Sequence, residues 1–168
     1  MTILDNVRLP LIVLATVGSG VSAGIFFAFS TFVMQALAKI PPAQGISAMQ
    51  AINITVINPW FMVVFFAPGI AGILLSLSLL FQWQHSLAPY LLAGSLLYLV
   101  GTIGTTVFGN IPLNDALAVV NPDSFEGSAL WSKYLTDWTC WNHLRTVAAM
   151  LAATLFAIAF RLRAISPI

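Results

Sequence analysis

Four long apolar segments constrain the fold of this chain more than any other feature of its sequence. Each holds close to the roughly 20 apolar residues that a helix needs to cross the hydrocarbon core of a bilayer. Charged residues make up only 7% of the chain, against about a quarter in soluble domains, so lipid must surround most of it. We therefore predict an all-α integral membrane protein, a four-helix bundle that forms one domain over residues 1–168. The predicted transmembrane helices span residues 9–37, 60–81, 90–108 and 141–160.

The first apolar segment is longer than the apolar part of a secretory signal peptide, so we expect it to be retained as a helix. Arg8, Arg161 and Arg163 lie on the side of both chain termini, and Lys39 and Lys133 lie on the opposite side. By the positive-inside rule, this distribution favours a multi-pass protein of the cell membrane with both termini in the cytoplasm. The longer loop, which joins the third and fourth helices, is then extracytoplasmic.

Two pairs of small residues indicate where helices approach each other closely. Gly20 and Gly24 lie one turn apart on the first helix, as do Gly101 and Thr105 on the third. Such pairs let the backbones of neighbouring membrane helices come together. They predict tight packing and imply no chemistry.

Polar residues collect where the third helix ends and the fourth begins. Because successive spans alternate in direction, we expect these segments to meet at one end of the bundle. Residues 147–160 form about 21 Å of helix, which is shorter than a bilayer core of about 30 Å. The turn before them must therefore lie at or just within the hydrocarbon boundary, where ionisable side chains are functional candidates. The residues concerned are Asn110, Asn114, Asp115, Asn142, His143 and Arg145, with Asn53 and Trp138 on the same side.

The charge of Arg145 needs compensation, because a cation in the first turns of a helix opposes the positive end of the helix dipole. We predict that Asp115 pairs with Arg145 and that Asp137 caps the start of the fourth helix. Pro112 is expected to break regular hydrogen bonding. The segment 110–115 is therefore predicted to be a turn that leaves the membrane.

The order and spacing of these motifs resemble those of a known family. The resemblance is carried by Phe-Ser-Thr-Phe at 29–32, Asn-Ile-Pro-Leu-Asn-Asp at 110–115, Trp138, and Asn-His-Leu-Arg at 142–145. This arrangement is similar to that of the anthrone oxygenase-like family of small membrane proteins, which includes a bacterial domain of unknown function. The resemblance covers most of the chain, from the first helix to the fourth. It implies a link to fungal relatives that oxidise an anthrone to an anthraquinone with molecular oxygen, without flavin, haem or added metal.

The polar residues fit the oxidoreductase chemistry that the resemblance implies, a monooxygenase reaction. Removal of the acidic C–H proton of an anthrone gives an electron-rich enolate that can itself reduce oxygen. We expect His143 to be the general base, because imidazole exchanges protons near neutral pH. Arg145 and Asn142 are expected to stabilise the oxyanion, and Asp115 to hold Arg145 or orient His143. The expected substrate-binding residues are Asn110, Asn114, Asn53 and Trp138.

The expected partners are the lipid bilayer and a hydrophobic aromatic molecule. Oxygen is the expected co-substrate and no cofactor is predicted, although the sequence leaves a metal ion at His143 open. Without a basic stripe, nucleic acid is not an expected partner, and the formation of homo-oligomers stays open. Two other functions remain: a non-catalytic protein that binds a lipid, a quinone or another protein, and a small-molecule carrier. A cavity lined with aromatic side chains would favour the enzyme. A solid, hydrogen-bonded polar cluster would favour the binding protein, and a path through the bundle would favour the carrier.

Overall fold

The computed structural model describes residues 3–79 and 85–165, and the described residues form helices with no β-strand. Four helical segments are long and apolar enough to cross a bilayer: Val7–Leu37, Pro59–Leu79, Ala88–Ala118 and Phe125–Arg163. They confirm the predicted all-α architecture with four spans, whereas the side of the membrane that holds the termini stays a prediction. The helices are α1 (Ile3–Ala28, continued by a π-helical turn Phe29–Val33 and by Met34–Leu37), α2 (Pro42–Thr55), α3 (Pro59–Leu79), α4 (Ala88–Leu96, π-helical Leu97–Gly104 and Thr106–Asn110, then Ile111–Ala118) and α5 (Phe125–Ile165).

The third and fourth spans are both longer than predicted. The segment 110–115 continues α4 and is not a turn, because Pro112 is the second residue of the final α-helical part, where its missing N–H is not needed. Helix α5 begins at Phe125, and the Oγ of Ser124 accepts a hydrogen bond from the backbone N–H of Gly127 at 2.9 Å, which caps this start. The prediction of a long loop between these spans is therefore wrong, since only residues 119–124 connect them.

The segment between the first two spans forms a further helix, α2, which was not predicted from the sequence. Pro42 is its first residue, a position where proline is well tolerated. Gly45, Ile46 and Met49 are buried, so α2 lays one face against the rest of the protein. Residues 80 and 81, the end of the predicted second span, lie outside the described residues.

Small residues hold together the part of the bundle nearer the chain termini, which we name the small-residue half. A Cβ added to Gly101 would lie 2.6 Å from the Cβ of Ala148 on α5, so these backbones approach as predicted. Gly20 and Gly24 behave differently, because an added Cβ would meet nothing within 4 Å. The prediction that this pair packs within the bundle is therefore wrong. The buried residues that define this half include Ala15, Ala71, Leu75, Leu91, Ala149, Ala152 and Phe156.

Larger side chains fill the opposite end of the molecule, which we name the aromatic half. Here α2, the last part of α4 and α5 pack against one another. Trp131, Tyr134 and Trp138 form a continuous stack on α5, with centroid distances of 5.6 Å and 6.0 Å between successive rings. The buried residues that define this half are Met34, Ile46, Met49, Leu117, Trp131, Tyr134 and Trp138.

Candidate functional site

A cavity of about 260 Å³ lies where the aromatic half meets the transmembrane helices. Its volume is slightly below the roughly 300 Å³ at which small-molecule sites begin. Most of its wall is apolar and aromatic. Its polar side chains are Asn53, Thr106, Asn114 and Arg145, and its aromatic side chains are Phe26, Phe29, Phe61, Phe65, Phe66 and Trp138.

Among the described residues, Arg145 is the one charged residue that lines this cavity, and it is only 7% exposed. The guanidinium lies over two aromatic rings, 4.2 Å from the centroid of Phe26 and 4.9 Å from that of Trp138. Its Nε donates to the Oδ1 of Asn142 at 2.8 Å, and its Nη1 donates to the Oγ1 of Thr106 at 3.4 Å. Within residues 3–79 and 85–165, these are the side-chain hydrogen bonds of the guanidinium.

The carboxylates that were expected near Arg145 lie elsewhere. Asp115 is exposed, so the predicted pair with Arg145 is wrong. Asp137 does not cap a helix, because it lies within α5, with its carboxylate 4.0 Å from the Nζ of Lys133. In the described part of the chain, therefore, two rings and neutral polar groups surround the buried cation in place of a counter-ion.

The spacing of residues along α5 explains which side chains reach the interior. Positions three or four apart share one face of a helix, and five such positions are buried here. His143 is one residue away from Asn142, about 100° round the helix, and its side chain is exposed. The structure therefore does not bring His143, the expected general base, into the cavity. The five buried residues are Trp131, Tyr134, Trp138, Asn142 and Arg145.

Asn142 holds Arg145 in place and does not line the cavity. Its Nδ2 donates to the backbone carbonyl of Phe26 and to the Oγ of Ser30, both at 2.7 Å. These bonds leave Oδ1 to accept from the Nε of Arg145. Ser30 belongs to the π-helical turn of α1, and its Oγ is also 3.1 Å from the Oγ1 of Thr146. Turns of this kind are frequent at functional sites, and this one ties α1 to the turn of α5 that carries Arg145.

Asn114 lines the cavity, and two hydrogen bonds hold its side-chain oxygen. Its Oδ1 accepts from the hydroxyl of Tyr134 at 2.7 Å and from the Nε1 of Trp138 at 2.8 Å. Because the indole nitrogen can only donate, these contacts fix the orientation of the amide. Asn53, which also lines the cavity, lies beside the same Tyr134 hydroxyl. Both asparagines were predicted as binding residues, and the structure brings them together with Trp138.

Asn110 has a different place. It is buried, and its Nδ2 donates to the backbone carbonyl of Trp138 at 3.1 Å. Its Oδ1 is buried and has no partner among the residues that the structure describes. The side chain joins α4 to α5 and is not one of the cavity-lining residues.

Three residues of this site were not predicted from the sequence. Phe26 and Thr106 contact the guanidinium of Arg145, and Tyr134 positions Asn114. The pattern from Trp131 to Arg145 contains the signal for Tyr134, because it repeats at three and four residues. Among the described residues, no three histidine, cysteine, aspartate or glutamate side chains are grouped as a metal site would require.

Comparison with known proteins identifies the family of the chain. The family model described as anthrone oxygenase matches residues 60–155, more than half of the chain. This range contains α3, α4 and the cavity-facing part of α5, and with them Thr106, Asn114 and Arg145. No curated protein matches the chain, and no solved structure does. With its family model covering most of the helices that build the cavity, the chain belongs to the anthrone oxygenase family.

Proposed function

We propose that this protein is a membrane-embedded, oxygenase-like enzyme that acts on a hydrophobic, weakly acidic aromatic molecule of the anthrone type. The observation that carries the proposal is the buried Arg145, which lines an aromatic cavity without a carboxylate partner in the described residues. A buried cation without a counter-ion is costly. A ligand that brings a single negative charge offsets this cost, and flat rings fit a cavity walled by six aromatic side chains.

The proposed reaction converts the CH₂ carbon of an anthrone into a carbonyl. The substrate first loses a proton to water and becomes an enolate, whose negative charge rests mainly on oxygen. The electron-rich enolate then reduces molecular oxygen. The carbon loses two hydrogens and gains one oxygen atom, and the second oxygen atom leaves in water, so that one O₂ is consumed for each quinone.

Arg145 and Asn114 would stabilise the enolate by donating hydrogen bonds to its oxygen. Such donors are most effective when they are fixed before the reaction and shielded from water. Arg145 meets the first condition through Asn142 and Thr106, and Asn114 through Tyr134 and Trp138. His143 is not kept as the base in this proposal, because its side chain is exposed on the outer surface of α5. The described residues that line the cavity include no histidine or carboxylate, which is why the proton passes to water in this proposal.

Oxygen uptake by the purified protein in lipid nanodiscs tests this proposal. The native protein, Arg145→Met and the exposed control Arg161→Met are compared with a panel of anthrones under ¹⁸O₂. We expect Arg145→Met to lower kcat/KM by about 100-fold, as the loss of an oxyanion donor does, and Arg161→Met to leave it unchanged. One labelled oxygen atom should appear in the quinone and the other in water. Full activity in Arg145→Met, or no uptake by the native protein with any member of the panel, would contradict the proposal.

A non-catalytic protein that binds a lipophilic anion is the second candidate. It is favoured by the absence of a histidine or carboxylate from the part of the cavity wall that the structure describes, since binding needs no base. Such a protein would bind the enolate or a related phenolate with the same dependence on Arg145, yet it would consume no oxygen. Binding measured beside oxygen uptake therefore separates the two functions.

A further inference from the structure

We infer that the cavity is entered sideways from the lipid, through a gap between the start of α3 and the segment of α4 around Ile111. The route follows from helix packing alone. The acidic, aromatic nature of the molecule that uses it rests on the proposed function.

The gap arises because α3 and α4 separate towards the aromatic half. Helix α3 packs against the first two parts of α4, Ala88–Leu96 and Leu97–Gly104. In that region a Cβ on Gly69 would lie 2.8 Å from the side chain of Ile103. Beyond Gly104 the contacts between the two helices are marginal at most. Phe61 and Phe66 on one side of the gap and Thr106 and Ile111 on the other all line the cavity.

The surface around this gap is apolar. Three cavity-lining residues are strongly exposed: Ile57 at 71%, Phe66 at 45% and Ile111 at 42%. Helix α3 has 21 residues, about 31 Å of helix, which is close to the thickness of a bilayer core. Ile57 therefore lies near the boundary of the hydrocarbon and Phe66 within it. Among the polar lining residues, Arg145 is buried, and Asn53, Thr106 and Asn114 are half-buried.

Access from the aqueous side is closed by the aromatic half. Met49, Leu117 and Tyr134 are each at most 1% exposed. The Nε2 of Gln50 donates to the backbone carbonyls of Leu117 and Val120, at 2.8 Å and 3.1 Å, which fastens α2 to the end of α4. A molecule in water therefore meets a packed cover, whereas a molecule dissolved in lipid meets an open gap.

This route defines the class of ligand. The molecule must partition into the bilayer as a neutral species, and it must carry one group that ionises beside Arg145. Flat phenols and enols meet both requirements. Sugars, polyphosphates and molecules with several charges do not, because moving such groups through hydrocarbon is costly.

Photolabelling with 4-hydroxybenzophenone tests the route without any need for turnover. This probe is a lipid-soluble aromatic phenol, and the methionines that line the cavity, Met49 and Met62, are suitable targets for its excited ketone. The native protein in nanodiscs is mixed with the probe, irradiated briefly under argon and analysed by mass spectrometry. Ile111→Trp narrows the gap, and Leu96→Trp, at a position that is 63% exposed on the same helix and outside the cavity wall, is the matched control.

We expect early labelling of Met49 and Met62 to be about tenfold slower in Ile111→Trp, since a narrowed path reduces the rate of association. Leu96→Trp should label like the native protein, and Ile111→Ala, which widens the gap and should fold, at least as fast. Equal labelling in Ile111→Trp and Leu96→Trp would overturn the inference, as would slower labelling in Ile111→Ala or no labelling of either methionine in the native protein. If the native protein is labelled through the gap but consumes no oxygen, the route stands and the oxygenase proposal fails.

Discussion

The two halves of this molecule use different side chains, and their packing differs accordingly. In the small-residue half, glycine, alanine and serine let helices touch: Cβ atoms added to Gly94 and Gly72 would lie 3.0 Å from Phe156 and from Ser95. In the aromatic half, large rings fill most of the space between the helices, and a cavity lies beside Arg145. In one bundle, therefore, close helix packing is found at one end and the candidate functional site at the other.

Arg145 lies at the junction of the two halves, and π-helical turns from two other helices meet it there. Ser30 of the first such turn, in α1, binds Asn142. Thr102 of the second, in α4, approaches the backbone carbonyl of Arg145 at 3.5 Å, and Thr106 of the third accepts from its guanidinium. A π-helical turn carries an extra residue compared with an α-helical turn. The π-helical turns therefore lie where the buried guanidinium of Arg145 needs hydrogen-bond acceptors.

The largest effect on stability is expected from Gly101→Leu, which tests whether close helix contact distinguishes the small-residue half. The new side chain would collide with Ala148, because even a Cβ would lie 2.6 Å from the Cβ of that residue. We expect the free energy of unfolding to fall by about 3 kcal/mol, the upper part of the usual range for overpacking, as measured by denaturant titration in mixed micelles. Gly20→Leu is the control, because nothing lies within 4 Å of an added Cβ there. Similar losses in both variants would show that close helix contact does not distinguish this half.

A smaller effect on stability, combined with an effect on turnover, is expected from Asn142→Ala. The change removes an acceptor of Arg145 and leaves the carbonyl of Phe26 without its donor. We expect a loss of about 2 kcal/mol, typical of an unsatisfied buried polar group, and a fall in kcat/KM because Arg145 is no longer held. Ser95→Ala removes bonds to the carbonyls of Gly72 and Leu91 in the other half. Ser95→Ala should lower the free energy of unfolding by about 1 kcal/mol and leave kcat/KM unchanged. A fall of kcat/KM in Ser95→Ala as well would contradict the functional difference between the two halves.

The sequence was sufficient to predict the spans and the meeting of polar segments at one end. Apolar length alone identifies the four membrane helices, and their alternating direction brings Asn114 and Arg145 to the same place. The ends of the helices were harder to predict. Pro112 was read as a helix breaker, but its effect depends on whether a helix restarts just before it, and this is determined by the π-helical turn that ends at Asn110.

The groups that surround Arg145 were also not predicted from the sequence. Charge complementarity favoured Asp115, whereas in the structure the rings of Phe26 and Trp138 contact the guanidinium. Phe26 belongs to α1, far from Arg145 in the chain, so no local spacing joins this ring to the arginine. Trp138 lies seven residues before Arg145 on the same face of α5. The inward face of α5 is a different case. The repeat from Trp131 through Tyr134 and Trp138 to Arg145 can be recognised in the sequence, but the fourth helix was predicted to begin at residue 141, inside this repeat. With the helix begun at Phe125, the same repeat excludes His143 from the interior.

The smallest effect is expected from His143→Ala, and it is the sharpest test of which face of α5 matters. The side chain is exposed, and substitutions at such positions usually change the free energy of unfolding by no more than about 0.5 kcal/mol. Oxygen uptake by His143→Ala should equal that of the native protein at every anthrone concentration, in contrast to Arg145→Met. A large fall in kcat with unchanged stability would mean that the outer face of α5 takes part in the reaction. The imidazole would then regain its role as the base, and the cavity beside Arg145 would no longer account for the chemistry.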